Sequence, residues 1–398
     1  MRMQQLSVRT ALTATLLALL AACGGGGGND DDDDDPTVDL VAAFAVVGQS
    51  DYSGNQSNRG TGVEANTLAQ PQGKAAYRAD YGLLIADYGN SRALAWDSLP
   101  LDGEAAALVI GQDSFTDSGA SAGSTQLALP TNAAFSATGQ LLITDSGNNR
   151  VLIWNQRPTT NTPADLVIGQ TDLTQNQSGT SASQLDNPTS AMIAGNRLFV
   201  VDQGNSRVLI WNSIPTTHGM AADVVVGQDD FATATADEGA DRLNRPSDLW
   251  TDGFRLLVAD TGNNRVLLWD QIPRSNGKDA SLVIGQADFF RTTSGTSAAA
   301  LRAPLSVTSD GVRIYVADAG NHRVAVMDAF PILSGESFDT LYGQQEFSYR
   351  IANDDDQDLE RDDQPSARIL DTPTGVHVAD GVLIVSDRNN HRALMFTP

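Results

Sequence analysis

Apolar runs of four to six residues, each bounded by Gly, Asn, Asp or Pro, recur along most of the chain. Runs of that length and setting read as short strands. In one unit Leu141, Ile143 and Asp145 point to one side of such a strand, with Arg150, Leu152 and Trp154 on the same side of the return strand. Leu142, Thr144, Val151 and Ile153 take the other side. Both sides are mostly apolar, so the sheet is expected to be covered on both faces.

These strands recur at a regular interval. Six times an Asp is followed five residues later by an Arg: Asp87 and Arg92, Asp145 and Arg150, Asp202 and Arg207, Asp260 and Arg265, Asp318 and Arg323, Asp387 and Arg392. The first five Asp residues stand 58, 57, 58 and 58 apart, and the last gap is 69. The order of marks around each pair is constant. Leu-x-x-Pro comes first, from Leu68 and Pro71 to Leu370 and Pro373, and the Asp-to-Arg turn follows. An aromatic residue or Met lies nine beyond the Asp (Trp96, Trp154, Trp211, Trp269, Met327, Phe396), and an apolar strand ending in Gly-Gln comes last. Such self-similarity marks supersecondary units that stack or close into a ring. Four strands fit each unit, and a ring covers every sheet where an open stack leaves bare ends.

The Asp and Arg have a mechanical reading. If Gly and Asn between them form a two-residue hairpin loop with positive φ values, Asp and Arg fall opposite one another across the strands. Such a pair is worth roughly 0.2–1 kcal/mol, and removing one partner costs about 3–5 kcal/mol if the pair is buried between sheets. All twelve residues are therefore expected to be structural. Closure is carried by the chain ends. Residues Leu40 to Gln49 supply a Gly-Gln strand before any Asp-to-Arg turn, while the last unit stops at Pro398 without one. Docking the early strand beside the last hides two strand edges. The expected fold is all-β: a six-bladed propeller of four-stranded antiparallel blades over residues 40–398, closed by the N-terminal strand.

Pro, an apolar strand, Leu-x-Val-Ala-Asp-x-Gly-Asn-x-Arg-Val and an aromatic-Asp strand together resemble the NHL repeat. Val258 to Val266 and Val316 to Val324 carry the pattern most fully. The sixth turn departs from it, because Asp387-Arg388-Asn389 lacks the Gly. The period also exceeds the roughly 40–50 residues of common propeller blades. The excess lies in connections rich in Ser, Thr, Gly and Ala between Gly-Gln and Leu-x-x-Pro. The resemblance implies a propeller that binds proteins, nucleic acids or small ligands, with a few lyases and lactonases among its relatives. Fold alone does not choose among these.

The N-terminus adds a location. Arg2 and Arg9, the apolar stretch Ala11 to Leu19, and Leu20-Ala21-Ala22-Cys23 read as an export leader over residues 1–22. Leu-Ala-Ala-Cys resembles the lipobox of bacterial lipoproteins, which implies cleavage before Cys23 and acylation of that residue. Gly24 after the Cys is similar to lipoproteins sent to an outer membrane. Residues 23–39, with Gly24 to Gly28 and Asp30 to Asp35, form an expected solvated tether. Without the leader the chain keeps 23 Lys and Arg against 49 acids. That balance disfavours nucleic acid and assigns membrane attachment to lipid. A monomer in the cell envelope is expected.

Candidate chemistry is sparse. With Cys23 acylated no thiol nucleophile is left, and no local motif marks a serine triad. The four His residues are His218, His322, His377 and His391; His322 and His391 occupy a turn position held elsewhere by Asn or Ser. Loops on the Asp-to-Arg face would form a polar crown suited to binding. Counting from each repeat Pro, the channel is expected to present Asn132, Ser190, Asp248 and Ser306 at its mouth, with Trp250 and His377 deeper, either for a ligand or for ordered water. In the sixth connection Asp354, Asp356, Asp358 and Glu360 are candidate calcium ligands, although the mid-loop Gly of the well-known calcium loop is missing. Two functions compete: a non-enzymatic binding or scaffold module for a protein, peptide or glycan, with no cofactor, and a metal-assisted lyase or lactonase at the channel mouth.

Overall fold

The computed structural model describes residues 40–398; the expected leader, Cys23 and tether lie outside the described residues. These residues form six four-stranded antiparallel sheets around one axis. After β1 (Ala45–Val47), blade one holds β2 (Ala76–Arg78), β3 (Gly82–Asp87), β4 (Arg92–Trp96) and β5 (Leu108–Ile110). Blade two holds β6 (Pro130–Phe135), β7 (Leu141–Asp145), β8 (Arg150–Trp154) and β9 (Leu166–Ile168); blade three holds β10 (Pro188–Ala194), β11 (Arg197–Asp202), β12 (Arg207–Trp211) and β13 (Val224–Val226). Blade four runs β14 (Asp248–Thr251), β15 (Leu256–Asp260), β16 (Arg265–Trp269) and β17 (Leu282–Ile284). Blade five runs β18 (Pro304–Ser309), β19 (Ile314–Asp318), β20 (Arg323–Met327) and β21 (Thr340–Tyr342). Blade six has β22 (Pro373–Ala379), β23 (Val382–Asp387) and β24 (Arg392–Phe396), and its fourth strand is β1, with Ala45 opposite Met395. The ring closes as the chain ends implied.

Apolar residues on both faces of each sheet pack against the neighbouring blades. Leu142 and Ile153 of blade two meet Leu198, Val200 and Trp211 of blade three, all of them buried. β-Branched and aromatic side chains suit this two-sided burial.

Asp and Arg pair directly in every blade, from Asp87 opposite Arg92 to Asp387 opposite Arg392. The loop between them corrects the expected two-residue hairpin. The three residues after the Asp make a 3-10 turn and the fourth is left-handed, as at Ser91 (φ 51°) and His391 (φ 52°). The Gly of Gly-Asn therefore does not serve a positive φ. A Cβ on Gly89 would lie 2.7 Å from the Ala69 carbonyl oxygen, which accepts the Gly89 N–H at 2.8 Å. In the sixth turn Asn389 stands in the glycine's place, and its bond to the Asp371 carbonyl lengthens to 3.2 Å.

The Gly-Gln mark is also explained. Gly111 has φ +93°, and the Leu127 side chain of the next Leu-x-x-Pro fills the space a Cβ would need. Gln112 Nε2 then donates to the carbonyls of Ser91 (2.8 Å) and Gly119 (2.9 Å), tying the connection to the turn. Gln49, Gln170, Gln228 and Gln286 do the same in their blades.

Candidate functional site

The six Asp-Arg pairs lie on the crown face and are fully buried. In blade three, Asp202 Oδ1 accepts the Asp186 N–H, and Oδ2 accepts from Asn205 Nδ2 and from Arg207 Nε, all at 2.7–2.8 Å. The Arg207 Nη groups donate to the carbonyls of Ser181 and Gln184 in the preceding connection and of Phe231 in the following one. Arg92, Arg150, Arg265, Arg323 and Arg392 bridge their two connections likewise. With carboxylate and guanidinium so fully engaged, these residues have no group left for chemistry.

Each turn also grips the next blade. The residue before every repeat Pro is left-handed, and its N–H donates to the left-handed residue of the preceding blade's turn. Leu129 N–H meets Ser91 Oγ, Asn187 N–H meets Asn149 Oδ1, and Ala303 N–H meets Asn264 Oδ1. His322 and His391 fill this role with Nδ1, accepting from Thr372 (3.0 Å) and Gln70 (2.9 Å). His218 Nδ1 accepts the Val167 N–H at 3.2 Å. Three of the four histidines are thus held as acceptors in the framework.

The axis is built differently. Ser190, Asp248 and Ser306 converge there in a closed network. Asp248 accepts from Ser190 Oγ (2.7 Å), Ser306 Oγ (2.6 Å) and the Val307 N–H (2.9 Å). Its fourth partner is Lys74, whose Nζ lies 3.0 Å from Asp248 Oδ2 and donates to the Leu249 carbonyl at 2.6 Å. Lys74 belongs to blade one and Asp248 to blade four, so the ammonium spans the ring. Ser306 Oγ accepts the Val376 N–H of blade six, and the Lys74 carbonyl accepts the Ala133 N–H of blade two. All six blades meet in this network. Burial pushes the Lys74 ammonium down from its ordinary value, and Asp248 opposes that shift.

Counting from the Pro missed Lys74 because blade one carries one extra residue there: Ala76, five after Pro71, pairs with Leu84, where Ala134, four after Pro130, pairs with Leu142. Gly73, at φ +63°, takes up a left-handed conformation that favours glycine, next to Lys74. A Cβ there would also collide with the Thr131 carbonyl oxygen at 1.8 Å. The available signal was composition: Lys74 is one of only two lysines in the chain.

Beside the network lies a cavity of about 210 Å³ lined by Tyr77, Asn132, Phe135, Met192, Trp250 and His377, among others. Its lining reaches the carboxyl ends of the inner strands, away from the crown, and Trp250, Ser309 and Val378 also border a second groove there. Of the six expected channel residues, the structure brings Asn132, Trp250 and His377 to this cavity together with Ser190, while Asp248 and Ser306 stay in the closed network. Asn132 Oδ1 is buried and has no hydrogen-bond donor. His377 faces the Tyr77 carbonyl at 3.4 Å, and burial with the Lys74 charge holds its pKa down to about 4. Among the described residues, no His, Cys, Asp or Glu besides His377 lines the cavity. One imidazole is not a metal donor set, and Asp248 is saturated. In the sixth connection, carboxylate oxygens of Asp354, Asp356 and Asp358 lie within 4.8 Å of one another, and exposed Glu360 is outside that group.

This arrangement defines an all-β six-bladed propeller whose axis carries a buried ion pair and a small mixed-polarity cavity. No protein-family model and no curated protein matches the chain. Among solved structures it is similar to a protein of unknown function from Bacteroides thetaiotaomicron, at 12% identity and a TM-score of 0.54 over 90% of this chain and 75% of that one. It is also similar to a gluconolactonase from Xanthomonas campestris, at 11% identity and a TM-score of 0.49 over 89% of this chain and 98% of that one. A virginiamycin B lyase from Staphylococcus aureus gives 10% identity and a TM-score of 0.45 over 84% of this chain and 97% of that one. Structural neighbours therefore include a lyase and a lactonase, and at these identities the likeness concerns the fold alone.

Proposed function

We propose that this chain is a lipid-anchored, NHL-type propeller of the cell envelope that binds the sugar end of a glycan in its axial cavity without transforming it. The observation that carries the reading is the chemistry of the cavity wall. Trp250, Tyr77 and Phe135 offer apolar surface, and Asn132 Oδ1 is a buried acceptor that lacks a donor. A sugar ring presents C–H faces to aromatic walls and hydroxyl donors to such an acceptor, so it answers both features at once. The competing metal-assisted lyase or lactonase is less well supported: among the described residues Asp248 is consumed by its four partners, His377 alone of the usual ligands lines the cavity, and Asp252 and Asp310 in the adjoining groove are paired with Arg255 and Arg313. Anchoring is supported by Leu20-Ala21-Ala22-Cys23.

Two measurements test this. Full-length Cys23→Ser protein is titrated with monosaccharides and oligosaccharides by calorimetry and tryptophan fluorescence. At least one sugar binds saturably, and Trp250→Phe with Asn132→Ala lowers affinity about tenfold or more. Flat titrations, or equal affinity in the double variant, reject the glycan. Separately, fractionation of cells shows the parent in membranes and Cys23→Ser released; continued membrane association of the variant counts against the lipid.

A further inference from the structure

The connection leading from β21 into β22 is the one that stretches the repeat from 58 to 69 residues. It is tied to the closing blade by a buried amide pair, with Asn353 and Asn390 exchanging hydrogen bonds at 2.9 and 2.8 Å. Asp354 follows directly and is drawn inside, fully buried. One of its oxygens, Oδ2, accepts the Leu359 N–H at 3.1 Å, while the other, Oδ1, has no donor. Two arginines of this connection pair with other acids, Arg361 with Asp371 and Arg368 with Asp355. A buried carboxylate oxygen with no donor, beside two more carboxylates, is costly, and a bound cation would offset that cost.

We propose that the sixth connection holds one calcium ion between the carboxylates of Asp354, Asp356 and Asp358. The acids alternate along the chain, and their oxygens already lie within 4.8 Å of one another. The backbone wraps the same centre: Asp356 Oδ1 accepts the Asp358 N–H, and Asp358 Oδ1 accepts the Glu360 N–H. Leu359 takes the left-handed conformation, φ 71°, at the place where the familiar calcium loop uses Gly. All three donors are hard carboxylate oxygens, a set that suits calcium, magnesium or manganese better than zinc. Three carboxylates exceed the one or two that magnesium ordinarily takes from a protein, which favours calcium. Because Asn353 adjoins the site and grips Asn390, the ion would fasten the last connection to the blade that closes the ring.

The test uses full-length Cys23→Ser protein, measured in EDTA and in calcium chloride by calorimetry and thermal unfolding. One site is expected, with a Kd of ~10⁻⁴–10⁻³ M and a Tm about 2 °C higher at ten times Kd. Asp356→Asn with Asp358→Asn, both exposed positions, loses the heat and the shift while melting like the parent in EDTA. Should that double variant fail to fold, Asp356→Asn alone carries the comparison. An unmoved parent Tm overturns the site. A response kept by the variants assigns calcium to other acids, such as Asp30 to Asp35, and also overturns it. An equal response to magnesium overturns the choice of calcium.

Discussion

Crown and axis use the same chemical parts in opposite ways. On the crown a buried Asp-Arg pair occurs six times with the same partners, so each copy holds two connections and one hairpin. At the axis a single buried Asp-Lys pair joins opposite blades, and its neighbours Trp250, Asn132 and His377 differ from blade to blade. Repetition in this molecule marks what holds the ring, and departure from repetition marks where a ligand would be met. The two ion pairs also differ in kind. Arginine cannot release its proton inside a protein, whereas a buried lysine can.

That difference is breakable by experiment. Asp202→Ala leaves the Arg207 guanidinium buried and charged, and should cost about 3–5 kcal/mol in urea unfolding. A loss under about 1 kcal/mol would show that the crown pairs are not what holds the connections. Asp248→Ala leaves Lys74, which can shed its proton as burial already urges, so the expected loss is smaller, about 2–3 kcal/mol. Equal losses at the two sites would erase the contrast. The smallest effect is in pH dependence. The folded pKa of His377 is about 4, below its ordinary 6.5, so the unfolded chain takes up this proton first as pH falls. Stability from this group is complete above pH ~6.5 and drains away between there and pH ~4, by about 1–2 kcal/mol with the cavity's solvent softening the shift. His377→Asn should flatten that part of the profile; an unchanged slope removes His377 from the buried axis.

Much of the crown was readable, and the axis was not, for physical reasons. Hydrophobic alternation and the sixfold Asp-to-Arg spacing specify strands, register and blade number. A leading Gly-Gln strand and a missing final one specify closure. The loop conformation was misread because its left-handed residue is the one after Asn, at Ser91 or His391, while the Gly is needed for its lack of a Cβ. The left-handed residues ahead of each Pro, such as Leu129, run against the usual extended preference there and exist only because a neighbouring blade accepts their N–H. Lys74 is hidden for a related reason: one extra residue after Pro71 shifts the inner strand of blade one by a place relative to the other blades. Asn132, Trp250 and His377 could be placed near the axis by counting from Pro, but which of them share a cavity depends on packing across blades.

Ala45 pairs with Met395. The earliest strand of the described chain therefore waits for a partner 350 residues further along. Blades one to five can be completed in order of synthesis, each from its own neighbouring segment, but the sixth cannot. The ring closes only once β24 has been made, and until then a growing chain carries β1 unpaired.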